Sequence, residues 1–108
     1  MSNEEIISNL KDFVVTGEEY SGKKFGRNQN IGLVSAMKFD KVTRIFAYAT
    51  EVAAANSDFI ILSENENHSK STKSLLNRLK ESWNGFEFVD EKIYQRAISR
   101  YFLGENNF

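Results

Sequence analysis

This chain contains no cysteine and no proline. Without cysteine it has no disulfide framework, no thiolate metal site and no cysteine nucleophile. Small secreted domains often depend on disulfides, so the missing cysteine favours a reducing compartment, and we expect a cytoplasmic protein. No proline-rich linker divides the 108 residues, a length typical of one domain, so we predict a single domain over residues 1–108.

The chain also has little net charge and no long apolar segment. Its formal net charge of −1 excludes a bulk attraction to nucleic acid or to an anionic membrane, so such binding would need a local patch. The acidic start, Met-Ser-Asn-Glu-Glu, is unlike the basic start and unbroken apolar stretch of a signal peptide. No apolar run approaches the roughly 18 residues of a membrane span, so we expect no membrane contact.

Groups suited to catalysis or to metal binding are equally sparse. The one histidine, His68, lies in a polar stretch, and the acids stand alone or pair in turns. The glycines of the segment Gly-Lys-Lys-Phe-Gly-Arg are one residue too close for a phosphate-binding loop. We therefore predict a protein that is not an enzyme and has no catalytic, metal-binding or cofactor-binding residues. An enzyme would require His68 to be buried beside a carboxylate in a pocket.

Apolar residues, by contrast, are plentiful and regularly spaced. The composition, 41% hydrophobic with nine phenylalanines, is enough for a buried core. A capping box of Ser2 and Glu5 opens the first helix. One side of a strand is shared by Ile31, Leu33, Met37 and Phe39. The predicted elements are a helix at 1–15, a loop at 16–30, strands within 31–63, a helix at 71–83, a short strand at 86–89, a helix at 90–103 and a tail at 104–108.

The order of these elements predicts the fold class. Strands bracketed by helices favour an α+β fold. We expect a small antiparallel sheet of about three to four strands, covered on one face by the N-terminal helix and two C-terminal helices. The strand candidates are residues 31–39, 42–50 and 59–62, whereas the alanine-rich residues 51–55 suit a helix about as well as a strand. Asp40 and Lys41 would form a tight hairpin.

Two short segments are basic and are candidate anion or nucleic-acid contacts. In the first, cations alternate with aromatic residues, as in proteins that bind single-stranded nucleic acid. The second is a Ser/Thr-rich helix start, with Ser71 or Thr72 as the N-cap, and a helix start attracts anions. The candidate contacts are Lys23, Lys24, Arg27, Lys70, Ser71, Thr72, Lys73 and Arg78. Solvated polar surface is the alternative for both segments.

Aromatic residues outside the expected core are candidates for a protein interface. Large aromatic side chains at a surface are typical binding anchors. The candidates are Tyr20, Phe25, Tyr94, Tyr101 and Phe102. We therefore expect a partner protein, either of the host or a second copy of this chain in a homodimer. Binding of single-stranded nucleic acid through residues 23–27 and 70–80 is the alternative.

Part of the chain, from Tyr48 to Lys80, resembles a family of small phage and prophage proteins of unknown function. The resemblance rests on Tyr-Ala-Thr-Glu-Val-Ala at 48–53, on Leu-Ser at 62–63, and on Ser-Lys-Ser-Thr-Lys-Ser at 69–74. Where those proteins usually have an aromatic residue before the serine, this chain has His68. The resemblance implies a phage accessory protein acting in the host cytoplasm, as an inhibitor or adaptor of a host protein. The family has no assigned activity, so no functional residue is transferred from it.

Overall fold

A computed structural model describes residues 1–104, so residues 105–108 of the predicted tail lie outside the described part. The helices are α1 (Asn3–Thr16), α2 (Lys70–Ser82) and α3 (Tyr94–Ile98). The strands are β1 (Gly22–Asn28), β2 (Gly32–Phe39), β3 (Val42–Ala47), β4 (Thr50–Ala55), β5 (Phe59–Glu64) and β6 (Gly85–Asp90). A 3₁₀ turn (Glu91–Ile93) precedes α3, and a π-helical turn (Ser99–Leu103) follows it. We call residues 91–103 the C-terminal helical segment.

The six strands form one mixed sheet whose strand order follows the chain, from β1 to β6. Neighbours from β1 to β5 are antiparallel, and β6 returns through α2 to lie parallel to β5. The predicted α+β class is confirmed, but the predicted strand number of three to four is wrong. The expectation of an antiparallel sheet is wrong for the β5–β6 pair, because the helical connection between them brings the chain back to the same end of the sheet.

Two strands account for the difference in number. β1 lies inside the predicted loop 16–30, because its glycines and cations hide the apolar alternation. β4 lies in the alanine-rich stretch, and Ala53, Ala54 and Ala55 are completely buried. Small side chains suit a strand that is packed on both faces, so tertiary packing overrides the helix propensity of alanine. The predicted hairpin at Asp40 and Lys41 is confirmed, since Phe39 pairs with Val42.

Helices lie on both faces of the sheet, so the prediction of one covered face is also wrong. On one face α1 and α2 pack against Ile60 and Leu62 of β5. On the other face the C-terminal helical segment packs against Ile61. Because side chains alternate along a strand, three successive residues of β5 serve two separate cores. The predicted strand at 59–62 is therefore confirmed as β5, and its residues 60–62 are buried on both faces of the sheet.

The helix ends show how local sequence sets the element bounds. The predicted capping box is confirmed, because Ser2 Oγ accepts from the Glu5 N–H at 3.1 Å and Glu5 accepts from the Ser2 N–H. The N-cap of α2 is Ser69 rather than Ser71 or Thr72, since Ser69 Oγ accepts from the Thr72 N–H. Gly104, with φ of 64°, ends the last turn as expected for a left-handed C-cap. Within residues 1–104 no helix is long and apolar enough to cross a membrane.

Candidate interaction surface

The C-terminal helical segment covers only part of its side of the sheet: it lies next to β5 and β6 and reaches Ala54 of β4 and Val42 of β3. The same side of β1 and β2, and of β3 beyond Arg44, has no helix over it among residues 1–104. Cross-strand partners on a sheet point to the same face, so the register identifies the side chains there. We call this surface the open face. Its residues are Tyr20, Lys24, Arg27, Leu33, Ser35, Met37, Phe39, Phe46 and Tyr48.

The open face is largely apolar and is exposed to solvent. The exposed fractions are 71% for Tyr20, 41% for Met37, 38% for Phe39 and 45% for Tyr48. A large side chain of this kind has about 150–250 Å² of surface, so at these fractions the four residues together expose roughly 300–500 Å². This value is within the range of the largest apolar patch on a typical monomer, which is often a functional surface. The open face is therefore the strongest candidate site in the described chain.

Strained backbone holds two of its aromatic side chains in place. Tyr20 and Tyr48 have φ of 61° and 58°, the left-handed region that bulky residues rarely occupy. Such conformations cost about 1–3 kcal/mol and persist where the surrounding structure enforces them. Gly32 makes room for Tyr48, because a Cβ there would lie 2.8 Å from Tyr48 Cε2. Both turns thus direct a tyrosine to the open face.

Tyr20 is also held by its neighbours. Its hydroxyl donates to Asp40 Oδ1 at 3.0 Å, and its ring meets the Phe39 ring edge-on at 6.2 Å between centroids. The hydrogen bond to the Asp40 carboxylate, together with its negative charge, raises the pKa of Tyr20 above the ordinary value. The aromatic pair is therefore ordered although it is exposed.

An ion pair marks the border between the open face and the covered part of the sheet. Arg44 of β3 donates to Glu51 Oε2 of β4 at 3.1 Å and to Gln95 Oε1 of the C-terminal helical segment at 3.4 Å. Both ionic side chains are about one-fifth exposed. Because Arg44 contacts both the sheet and the C-terminal helical segment, it lies at the border of the covered surface.

The first basic segment contributes two of its three cations to the open face. Lys24 pairs across the sheet with Ser35, and Arg27 pairs with Leu33. The Arg27 guanidinium lies 5.8 Å from the centroid of the Tyr48 ring, a cation–π distance. Lys23 lies on the other face of the sheet, and its Nζ lies 5.6 Å from the centroid of the Phe25 ring.

The second basic segment lies on α2, which packs on the opposite face of the sheet. The two basic segments are therefore not brought together. Thr72 is buried, and its hydroxyl accepts from Ser69 Oγ at 3.0 Å, so it does not fit the predicted anion contact. Ser71 is half-buried within hydrogen-bond distance of Ser69.

The remaining cations of this segment are exposed or half-exposed beside acids. Lys70, Lys73 and Arg78 share one shallow depression with Glu81. A second depression places Lys73 beside Glu64 and further acids, which lowers the local positive potential. This segment therefore offers less to an anion than its sequence suggests.

The predicted interface aromatics divide into buried and exposed residues. Tyr20 and Tyr101 are exposed, and Phe102 is half-buried against Phe59. The prediction is wrong for Phe25 and Tyr94, which are only 3% and 4% exposed. Phe25 faces α1, because it alternates with Lys24 of the open face, and packing of α3 on the sheet buries Tyr94.

Burial of Tyr94 leads to a prediction about alkaline stability. Burial, reinforced by the nearby Glu51 carboxylate, raises the pKa of Tyr94 far above 10.0. The unfolded chain therefore releases this proton first, so the stability is intact below about pH 10 and falls above it by about 1.4 kcal/mol per pH unit. We expect Tyr94→Phe to remove this loss. The measurement is urea unfolding of both proteins from neutral pH to pH 11.

The exposed Tyr48 supplies the control for that measurement. Tyr48→Phe should leave the alkaline loss unchanged. Within residues 1–104 the Tyr94 hydroxyl has no hydrogen-bond partner, so Tyr94→Phe should change the stability at neutral pH by less than about 1 kcal/mol. An equally steep alkaline loss in Tyr94→Phe and in the wild type would contradict the assignment.

His68 lies at the ends of the parallel strands β5 and β6. It is half-buried, and its Nε2 is 2.9 Å from the Ser63 carbonyl oxygen. Glu64, Glu66 and Asp90 line the same depression. Its hydrogen-bond partner in the described structure is this backbone carbonyl and not a carboxylate. Among residues 1–104 no group of three or more His, Asp or Glu side chains could hold a metal ion.

Sequence reasoning missed most of the open face. The alternation correctly placed Leu33, Met37 and Phe39 on one side of a strand. It was wrong for Ile31, which precedes β2 and is fully buried in the core with α1 and α2. The alternation did not show that this side of the sheet is exposed to solvent, because the exposure depends on where the C-terminal helical segment ends. Phe46 and Tyr48 are likewise two residues apart in the next predicted strand, which places them on one side of it.

No family model, no curated protein and no solved structure matches this chain. The resemblance to small phage proteins therefore stays a prediction.

Proposed function

We propose that this chain is a non-enzymatic accessory protein that binds a partner protein through the open face. The observation that carries the proposal is the group of exposed apolar side chains, Tyr20, Met37, Phe39 and Tyr48, on one uncovered side of the sheet. Interfaces are enriched in tyrosine, phenylalanine, methionine and arginine, and all four types occur on this face. In line with the phage resemblance, the partner would be a host protein that is inhibited or bridged in the cytoplasm.

The shape and polarity of the open face support a protein partner over other macromolecules. Its centre is aliphatic and aromatic, with Leu33, Met37 and Phe46, and its cations lie on the edge strand. A buried apolar centre with a polar rim is the usual arrangement at a protein interface. The strained tyrosines suit the same role, because a pre-ordered side chain loses less entropy on binding.

The test is a set of substitutions that removes the apolar side chains and preserves the strands. In the triple variant Met37→Thr, Phe39→Thr and Tyr48→Asn, threonine retains strand propensity, and asparagine tolerates the positive φ. We expect it to bind the partner at least about ten-fold more weakly than the wild type, which corresponds to the loss of one anchor residue. The measurement is capture of the partner from nuclease-treated lysate, followed by titration of the purified pair.

The matched control changes an apolar residue elsewhere. Val15 of α1 is 61% exposed and lies outside the open face, so Val15→Thr should bind like the wild type. Equal weakening by both variants, or no weakening by the triple variant, would exclude the open face as the docking surface.

Single-stranded nucleic acid is the second candidate ligand for this face. The observation that favours it is Arg27 over the Tyr48 ring with Lys24 nearby, since stacking aromatics and cations together bind single strands. Such binding would weaken steeply with added salt, whereas an apolar protein interface would respond little. Salt-steep binding of a labelled single strand, lost in Lys24→Ala with Arg27→Ala and retained in Lys70→Ala with Lys73→Ala, would establish this function instead.

A further inference from the structure

The two edges of the sheet differ in how they are protected. A bulge between Lys24 and Gly26 interrupts β1, and three cations lie along this strand. Bulges and lysines on an edge strand are the usual means by which proteins prevent pairing with another strand. β1 is therefore a blocked edge.

The β6 edge has neither form of protection. Its six residues, Gly-Phe-Glu-Phe-Val-Asp, pair with β5 in one unbroken register and include no lysine and no proline. Within residues 1–104 no strand pairs with its outer side. Phe86 is 47% exposed and contacts Phe88 edge-on at 6.1 Å between ring centroids. A regular, apolar and unpaired edge is suited to adding a strand.

Charges beside this edge are complementary to each other. Glu87 lies on the strand, and Arg96 and Arg100 lie on the C-terminal helical segment along the same groove. Arg100 and Glu87 are only loosely paired, at 3.9 Å. Glu87 Oε2 accepts no hydrogen bond from the described residues, although this oxygen is buried. The groove thus contains an acidic strand and a basic helical segment, and Glu87 is held by a long ion pair without a hydrogen bond to Oε2.

We propose that β6 pairs with β6 of a second copy of this chain, in antiparallel orientation, to form a homodimer. A two-fold axis perpendicular to the sheet keeps the faces in register, so Glu87 of each copy lies beside the basic helical segment of the other. The exposed Phe86 and Ile93 become covered in the same step. The charges favour a second copy, because one surface supplies both the acid and the cations. The apolar area is modest, so the dissociation constant should be micromolar.

The experiment is sedimentation velocity of the full chain from low micromolar to near-millimolar concentration. The wild type should change from the mass of one chain, 12.4 kDa, to twice that mass. Phe86→Lys introduces an edge lysine and should weaken dimerisation at least about ten-fold. Far-ultraviolet circular dichroism of this variant verifies that it is folded.

A charge exchange tests the pairing at the half-exposed Glu87 and the exposed Arg100, with far-ultraviolet circular dichroism verifying that each variant is folded. Glu87→Arg and Arg100→Glu should each weaken the dimer, and the double variant should restore it, because the attraction is then reversed but intact. The open-face variant Met37→Thr, Phe39→Thr and Tyr48→Asn should dimerise like the wild type, so failure of this proposal is separate from failure of the proposed function. A monomer at every concentration would overturn the proposal. A dimer lost only in the open-face variant would also overturn it.

Discussion

Replacing Trp83 by alanine is expected to lower the free energy of unfolding by about 3–5 kcal/mol. Trp83 follows α2 and is only 5% exposed, within the core that α1 and α2 form with the sheet. Its indole Nε1 donates to the Asn56 carbonyl oxygen at 2.7 Å, and Lys11 Nζ lies 5.1 Å from the ring centroid. One side chain therefore links the end of α2, the β4–β5 turn and α1. Alanine would remove the apolar packing, the hydrogen bond and the cation–π contact.

The measurement is urea unfolding followed by far-ultraviolet circular dichroism, since Trp83 is the one tryptophan of the chain. Trp83→Phe serves as an intermediate variant: it retains most of the apolar volume but leaves the Asn56 carbonyl without its donor. We expect it to lose about 1–3 kcal/mol. Val15→Ala on the exposed side of α1 should change the stability by less than about 0.5 kcal/mol. A loss below about 1 kcal/mol for Trp83→Ala would show that α2 is not anchored at this point.

The second large effect is expected at Ile61, in the smaller core. Ile61→Ala should lower the free energy of unfolding by about 2–5 kcal/mol, because the isoleucine is fully buried under the C-terminal helical segment. If that segment did not pack on the sheet, Ile61 would face solvent, and the loss would be small. The same unfolding measurement therefore tests whether the sheet is covered on its second side.

Ile60 provides the matched comparison. It neighbours Ile61 in β5 and is equally buried, but it belongs to the core formed with α1 and α2. Ile60→Ala should lower the free energy of unfolding by a similar amount, about 2–5 kcal/mol. A large loss for Ile60→Ala beside a negligible loss for Ile61→Ala would contradict the two-sided burial of β5.

The sequence predicted those features that depend on local patterns. The capping box at Ser2 and Glu5, the hairpin at Asp40 and the buried strand around Ile61 all follow from residues close together in the chain. The α+β class follows from the order of the elements. These features required no knowledge of which parts of the chain come into contact.

Features that depend on distant contacts were not predictable in the same way. β4 is a strand because its alanines lie between two layers, and alanine alone does not encode that position. Phe25 is buried because it lies on the face of β1 that α1 covers. The open face exists because the C-terminal helical segment extends as far as Val42 and Arg44 of β3 and leaves the rest of that side uncovered. Spacing alone therefore identified the shared side of Leu33, Met37 and Phe39 but not its exposure.

The agreement between strand order and chain order has a consequence for how the chain folds. Each strand from β2 to β5 pairs with the strand just before it, so every hairpin closes a short loop at low entropic cost. Topologies rich in such local pairs have low contact order and fold quickly for their size. β6 differs from the other strands, because α2 separates it in the chain from its partner β5. We therefore expect the β6 edge to form after the hairpins of the β1–β5 meander.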